Sequence, residues 1–561
     1  MSVTADLIIH NGRLRTMDAK RPIAQALAVL ANRIIRVGSD AACEALRGPD
    51  TQVIDAGGAT VLPGFNEAHL HIFGGGVSLG QLSLADVKGA EQLAARIAEW
   101  RAENPEAEFV ACHSAAYNII SDDRLPLRQD LDLICPDLPL EVVASDHHTS
   151  WVNTAALRLA GIERGVALAP GSEVVVGDDG LATGELREAP AMNLVAARSP
   201  SGGRASLGAV SSAEESGITA DQRAADIEAI RAGLAYCASY GITSIQNMDG
   251  NYYQLDILRE LEADGALPIR VRVPYLLTPD TDPRHVRIAA DWRQEFQSDF
   301  ITCDFVKLFA DGVVESGTAV MVDGYSDAPG KNGTPLFFSD SMNAAVELAD
   351  SLGLQVAVHA IGDGAVRQVL DAYEAARKAN GARDSRHRIE HVELLHDDDF
   401  PRFRELGAVA SMQPPHPPGA MDFPVSTYLP RIGEAREDTA FRSRELLEAG
   451  VPVVFSSDWP VARLSPMAGI QAAVTRKPWR QGGKDQSVTL DQALNAYTAA
   501  GAWVEFREGT KGRLAPGYLA DIAILDADLD AVPAERLGNV AAAVTICNGR
   551  IVYRSDAAEH S

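Results

Sequence analysis

The sequence predicts an α/β protein: a (β/α)8 TIM barrel, a small β-sandwich domain built from both termini, and a long insertion after the first barrel strand. Three observations lead there. The middle of the chain alternates short apolar runs with helical stretches, and eight such runs can be counted. Both ends carry short strands with Asn-Gly turns. Residues 75–220 are far too long for an ordinary crossover between neighbouring barrel strands. The expected divisions are 1–62 with 513–561 for the sandwich, 63–512 for the barrel, and 75–220 for a subdomain over the barrel mouth.

At the N-terminus, residues 6–12 read as a strand ending in Asn11-Gly12. Residues 24–38 read as a hairpin turning at Ala31-Asn32, and 51–58 as a further strand and turn. The C-terminus mirrors this with a strand over 517–525 and a hairpin over 544–553 around Asn548-Gly549. Each end alone has too few strands to be stable, so one shared β-domain is the economical reading.

The first barrel strand follows the apolar run 60–64 and continues as Phe65-Asn66-Glu67-Ala68-His69-Leu70-His71. Residues i and i+2 of a strand share a face, so His69 and His71 project together. Seven further strands are expected at 241–247, 269–275, 305–310, 354–359, 388–392, 408–413 and 451–458, with helices over 221–240 and 341–352 between some of them. The insertion has its own strands at 108–112, 140–144 and 173–176, and a mobile Ser/Gly-rich stretch over 200–215.

Composition narrows the function. The net charge of −27 disfavours a nucleic-acid backbone or an anionic membrane surface as partner. No basic leader precedes an apolar segment, and no apolar run reaches the roughly 18 residues of a membrane span. The six cysteines are scattered without a Cys-x-x-Cys pair. Free thiols in a reducing cytoplasm are the simplest reading.

Chemistry in a TIM barrel collects at the C-terminal ends of its strands. Those ends carry His69 and His71 (strand one), Lys307 (four), His359 (five), His391 (six) and Asp458 (eight). Any one of them has an ordinary structural explanation. Jointly they make a divalent-metal site.

This set resembles the amidohydrolase superfamily: His-x-His after strand one, lysine on strand four, histidines after strands five and six, aspartate after strand eight. Amidohydrolase family 3, which includes YtcJ-like proteins and N-substituted formamide deformylase, is matched more closely. Residues 146–157 (Asp-His-His-Thr-Ser-Trp-Val-Asn-Thr-Ala-Ala-Leu) resemble its Asp-Gly-His-Ser-x-x-x-Asn-x-x-Ala-Leu stretch, and 183–188 its Thr-Gly-x-Leu-x-Glu. Residues 306–312, 359–363, 388–391 and 457–460 also match. Thr149 stands where serine is usual. His147, where glycine is usual, puts a bulky titratable ring near the pocket.

The resemblance implies a metal-dependent hydrolase of a non-peptide C–N bond, of amide or formamide type. One or two Zn²⁺ ions are expected, with Mn²⁺ or Fe²⁺ as substitutes, activating a hydroxide for attack. His69, His71 and Asp458 would hold the buried ion, and His359 and His391 the second. An N-carboxylated Lys307 would bridge them. Asp458 would also move the proton from the attacking hydroxide to the leaving nitrogen. His148, Trp151, Asn153 and Glu188 are expected to line the pocket, with Gln413 and His416, after strand seven, as weaker candidates. Glu390, Asp311 and Arg388 read as structural or supporting groups. The expected partners are a small-molecule substrate and, as a working assumption, a second copy of the chain. The superfamily also contains lactone and cyclic-imide hydrolases, deaminases, decarboxylases and isomerases, so the ligand set does not fix the reaction. A non-catalytic binding protein would have lost a ligand, and none is missing.

Overall fold

In a computed structural model, eight parallel strands form one sheet in sequential order: β1 (Phe65–Leu70), β2 (Ile242–Asn247), β3 (Arg270–Leu276), β4 (Ile301–Phe309), β5 (Gln355–Ala360), β6 (Arg388–His391), β7 (Val409–Met412) and β8 (Val453–Phe455). The structure describes all residues except 1–3, 122, 169–170, 209–216, 422 and 557–561. Most of the second half of the expected Ser/Gly-rich stretch therefore lies outside the described residues.

The sheet curls into a nearly closed barrel. Its seam is stitched just past the strands: the Asp458 N–H donates to the His69 carbonyl at 3.0 Å, and the His71 N–H to the Trp459 carbonyl at 2.8 Å. β8 is shorter than its apolar run, because Asp458 sits at φ 63° and turns the chain over the mouth. Helices Ala220–Ser239, Tyr252–Ala263, Val286–Glu295, Ser339–Ser351 and Asp363–Asn380 lie between successive strands. Their apolar faces pack with the outer faces of the strands in one continuous core.

The barrel interior is polar on one level, and this holds the site rigid. The Arg388 guanidinium is fully buried. It donates to both Glu390 carboxylate oxygens, the Gln246 amide oxygen, the Ala68 carbonyl (2.7 Å) and Ser411 Oγ (2.7 Å). Strands β1, β2, β6 and β7 are thus tied by one cation, and such buried ion pairs are costly to break.

Around the barrel lie three further sheets. Arg33–Gly38, Ala26–Leu30, Ala5–His10 and Arg47–Asp55 form one. Arg550–Arg554, Ala542–Cys547, Ile522–Leu525, Thr60–Pro63, Arg13–Arg15 and Ile23–Ala24 form a second, from both chain ends. Leu7, Ile9, Leu27 and Val29 of the first share a core with Val61, Ile522, Ile524, Val544 and Ile546 of the second. Thr60–Pro63 runs directly into β1. The third sheet belongs to the insertion: Glu173–Val176, Ala182–Arg187, Thr149–Val152, Leu140–Ala144, Val110–Ala115 and Leu82–Ser83. All six cysteines are buried and unpaired. Among the described residues no helix is long and apolar enough to cross a membrane.

Candidate metal centre

β1 ends by delivering two imidazoles to one point. His69 is on the strand, and His71 caps helix Ile72–Ser78, with ring centroids 5.6 Å apart. The back nitrogen of each ring is held by a buried carboxylate: His69 Nδ1 lies 2.6 Å from Glu390 Oε2, and His71 Nδ1 2.6 Å from Asp249 Oδ1. Each carboxylate takes the Nδ1 hydrogen, so Nε2 carries the lone pair. The two Nε2 atoms lie 3.2 and 3.3 Å from Asp458 Oδ1. They are not aligned as hydrogen bonds, and this buried oxygen has no hydrogen-bond partner. Two lone pairs and one anionic oxygen converge in a space almost closed to solvent. That donor set fits a divalent cation, and unbridged it is a costly arrangement.

The electrostatics agree. Burial opposes charge on His71, yet Asp249 and Asp458 hold its pKa up at about 10. A proton and a cation compete for the same lone pair, and these carboxylates favour either. Asp458 is held well below the usual carboxylate range, burial being outweighed by His69, His71 and His391. Glu390 is likewise depressed, against burial, by Arg388 and His69.

The remaining strand-end groups border the same space. Lys307 is fully buried, its Nζ has no hydrogen-bond partner, and burial pushes its pKa down to about 8. A lysine so placed is easily neutral and open to carbon dioxide, which fits the expected carbamate. His391 and His359 have ring centroids 4.6 Å apart. Burial lowers both well below the ordinary imidazole value. His359 donates Nε2–H to the Gly312 carbonyl at 3.1 Å, which leaves the lone pair on Nδ1. His391 Nδ1 donates to Gln413 Oε1 at 2.9 Å, which leaves Nε2.

The insertion meets this rim through one pair. His148 Nδ1 lies 2.6 Å from Glu188 Oε2, and the His148 ring is 5.4 Å from that of His359. The other Glu188 oxygen accepts from Thr318 Oγ1 at 2.6 Å, in the loop after β4. Gly312 makes room for this clamp: a Cβ there would lie 2.3 Å from Glu188 Oε1. Glu188 raises the His148 pKa to about 9 against burial. Asp311 fixes the neighbouring loops, accepting from the N–H groups of Val320, Ile361 and Gly362.

Two expected pocket residues are elsewhere. Asn153 is fully buried at the N-terminus of helix Thr154–Ala160. Its Oδ1 accepts from the N–H groups of Leu140 and Ala156, and its Nδ2 donates to the carbonyls of Cys135 and Leu138. Nothing is left for a substrate. Trp151 lies in the insertion's own core with no exposed surface, edge-on to Tyr117 at 5.2 Å. Both are corrected to packing and capping residues. Gln413 does not point freely into a pocket either; it bridges His391 and Ser456 Oγ.

Three further side chains at this space were not assigned to it as metal-site groups from the sequence. Asp249 follows β2 by two residues, so reading every strand end for carboxylates would have found it. Glu390 points away from its neighbour His391, as strand alternation requires, and so meets His69 across the barrel. His416 lies beyond β7 with Nε2 3.7 Å from Asp458 Oδ2.

Residues 52–553 match the amidohydrolase family model, and the chain belongs to that family. It is a metal-dependent hydrolase of this family. Putative amidohydrolase YtcJ of Bacillus subtilis is 28% identical over 97% of this chain and 99% of its own length. N-substituted formamide deformylase of Arthrobacter pascens is 27% identical over 94% of each chain. Among solved structures, a metal-dependent hydrolase of Pyrococcus horikoshii OT3 superposes with a TM-score of 0.71, at 25% identity over 94% of this chain and 99% of that one.

Proposed function

We propose that this amidohydrolase cleaves a non-peptide C–N bond of a small amide, of the N-substituted formamide type. Its catalytic cation would be held by His69, His71 and Asp458. The carrying observation is the convergence of two Nε2 lone pairs and Asp458 Oδ1, each ring backed by a carboxylate. The relative named for formamide deformylation, matched nearly end to end, supports the choice of bond.

When bound, the cation supplies a Lewis acid for the carbonyl and lowers the pKa of water to roughly 7. Imidazole-rich ligation favours Zn²⁺ over Mn²⁺ or Fe²⁺. An N-carboxylated Lys307 would supply a further, anionic ligand. Asp458 Oδ2 takes a proton from the attacking water and returns it to the leaving nitrogen. His359 and His391 wall the reacting space, and His148, fixed by Glu188, faces it from the insertion. Burial of these groups keeps bulk water away from the charge that develops. The terminal β-unit (1–62 with 513–561) serves as a frame for β1, and the insertion (75–220) as the roof over the mouth of the barrel (63–512). Buried free thiols suit a reducing cytoplasm.

Metal analysis with a substrate panel tests this. The purified protein should hold a divalent ion and turn over a formanilide-type amide in preference to cyclic imides, lactones and aminopurines. Asp458→Asn should lower the rate by about 10²–10⁴-fold. Full activity of the metal-free protein would overturn the reading.

A further inference from the structure

The mouth of the barrel carries three carboxylates that the metal centre does not use. Asp146 comes from the insertion, two residues before His148. Glu315 stands in the loop after β4, and Glu393 follows β6 by two residues. The Glu315 loop is fixed against the insertion: Thr318 Oγ1 accepts from the Val313 N–H at 2.9 Å and donates to Glu188 at 2.6 Å. Glu315 is enclosed by protein yet keeps accessible surface, as a group lining a cavity does. Among the described residues no lysine or arginine forms an ion pair with any of the three. Arg431, the nearest cation to Glu315, faces Asp327 at 3.9 Å. Burial and the charges of Glu393 and Asp146 therefore push the Glu315 carboxyl well above its ordinary range.

Two buried polar atoms face this cluster without a partner. The Tyr428 hydroxyl, 1% exposed, is turned to Glu393 and Glu315 but completes no hydrogen bond. Asp146, 6% exposed, spends Oδ1 on the His148 N–H at 2.9 Å, while its Oδ2 has no hydrogen-bond partner. The nearby Tyr117 hydroxyl gives its hydrogen to Thr149 Oγ1 instead. Orphaned acceptors and surplus negative charge at such a depth are costly unless a ligand satisfies them. A bare metal ion does not fit. Among the described residues, the groups whose ligand atoms lie within 4.8 Å of one another do not include these three carboxylates. An ammonium does fit, because its three N–H donors reach separate acceptors.

We propose that Asp146, Glu315 and Glu393 form a subsite for a protonated primary amine, so that the substrate is a small amide carrying an ammonium group on a short chain. The inference rests on the metal-hydrolase reading above for the position of the scissile bond. His416 sets the reach. Its Nδ1 faces Glu393 at 3.8 Å and its Nε2 faces Asp458 at 3.7 Å, so one imidazole separates the subsite from the carboxylate that moves the proton. With an ammonium in place, Asp146 Oδ2 and the Tyr428 hydroxyl gain the partner they lack, and the charge on Glu315 is offset.

The test compares kcat/KM for two amides on the metal-bearing full chain. One is the monoformamide of an unbranched diaminopentane; the other is N-hexylformamide, which carries a methyl in place of the ammonium. The parent should prefer the ammonium substrate by at least about tenfold. Glu315→Gln keeps the shape and removes the charge, and should cut that ratio about tenfold. Asp146→Asn should cut it as well. Both rates come from one sample, so the ratio does not depend on how much of a variant is folded. A parent ratio near one overturns the proposal, as does a ratio that neither variant lowers. Calorimetric titration with hexylammonium, with hexanol as the neutral counterpart, reads the subsite without turnover. Hexylammonium should bind more tightly than hexanol, and Glu315→Gln should weaken it about tenfold. That result with neither amide hydrolysed sinks the hydrolase reading and leaves the subsite standing. Equal binding of the two probes overturns the subsite. So does hexylammonium binding that Glu315→Gln leaves untouched, which would place the amine on the metal.

Discussion

The barrel rim and the insertion both carry buried histidines, carboxylates and amides, and they use them in opposite ways. On the rim, polar side chains brace other polar side chains: Glu390 holds His69, Asp249 holds His71, Gln413 holds His391, and Arg388 ties Glu390 to three other strands. In the insertion, polar side chains mostly satisfy backbone. Asn153 bonds only main-chain groups, and Asp132 receives both the N–H and the hydroxyl of Thr154. The rim's polar groups are thus organised toward a common point, and the insertion's toward its own folding. His148 and Glu188 differ from these, since their bonds lead out of the insertion to the barrel loop at Thr318.

The largest effect that separates the two regions is expected at Glu390. Glu390→Ala strands the Arg388 guanidinium in the barrel interior and frees the His69 ring. Removing one partner of such a buried pair costs about 3–5 kcal/mol. Denaturant unfolding should register that loss, and metal analysis a depleted first site. Asp249→Asn is milder. It keeps the shape and removes the charge behind His71, so metal affinity should fall about 10–100-fold while the unfolding midpoint of the metal-free protein barely moves. An Asp249→Asn protein with undiminished affinity would show that the rim carboxylates are structural after all.

Asn153→Ala probes the other region. It removes a helix cap and four bonds to backbone, at a cost of about 1–2 kcal/mol in stability. KM for the amide substrate should not change. A raised KM at unchanged stability would restore Asn153 to the pocket and erase the contrast drawn above.

The same contrast explains what the sequence made legible. Barrel strands have a fixed direction and a period of two, so His69, His71, Lys307, His359 and His391 could be assigned to one rim by position alone. The two-ended sheet at the termini followed from Asn-Gly turns, and Asn11 and Asn548 do adopt the left-handed conformation those turns require. The insertion offered no such rule. Trp151 and Asn153 sit in a stretch that resembles a family motif, but an aromatic ring and an amide serve a subdomain core and a helix cap as readily as a pocket. His416 was hard to place because it follows a two-proline turn, Pro414-Pro415, whose path the strand pattern does not predict.

The smallest effect is a pH dependence, and it tests whether the insertion's buried charges are structural. Glu141 lies in Leu140–Ala144, where burial pushes its carboxyl up to about 7 from an ordinary 4.5. Below the ordinary value it is protonated in both folded and unfolded chains and costs nothing. As pH rises, the unfolded chain releases the proton while the folded chain keeps it, so stability falls until the folded group also ionises near 7. Beyond that the penalty is constant. Glu141→Gln removes it, so the variant should match its parent at pH 4 and exceed it at pH 8 by on the order of 1 kcal/mol. An equal gain at both pH values would mean better packing of the amide and no role for charge. A loss at pH 8 would mean that the carboxylate is held by a partner, as on the rim, and the two regions would then differ in degree only.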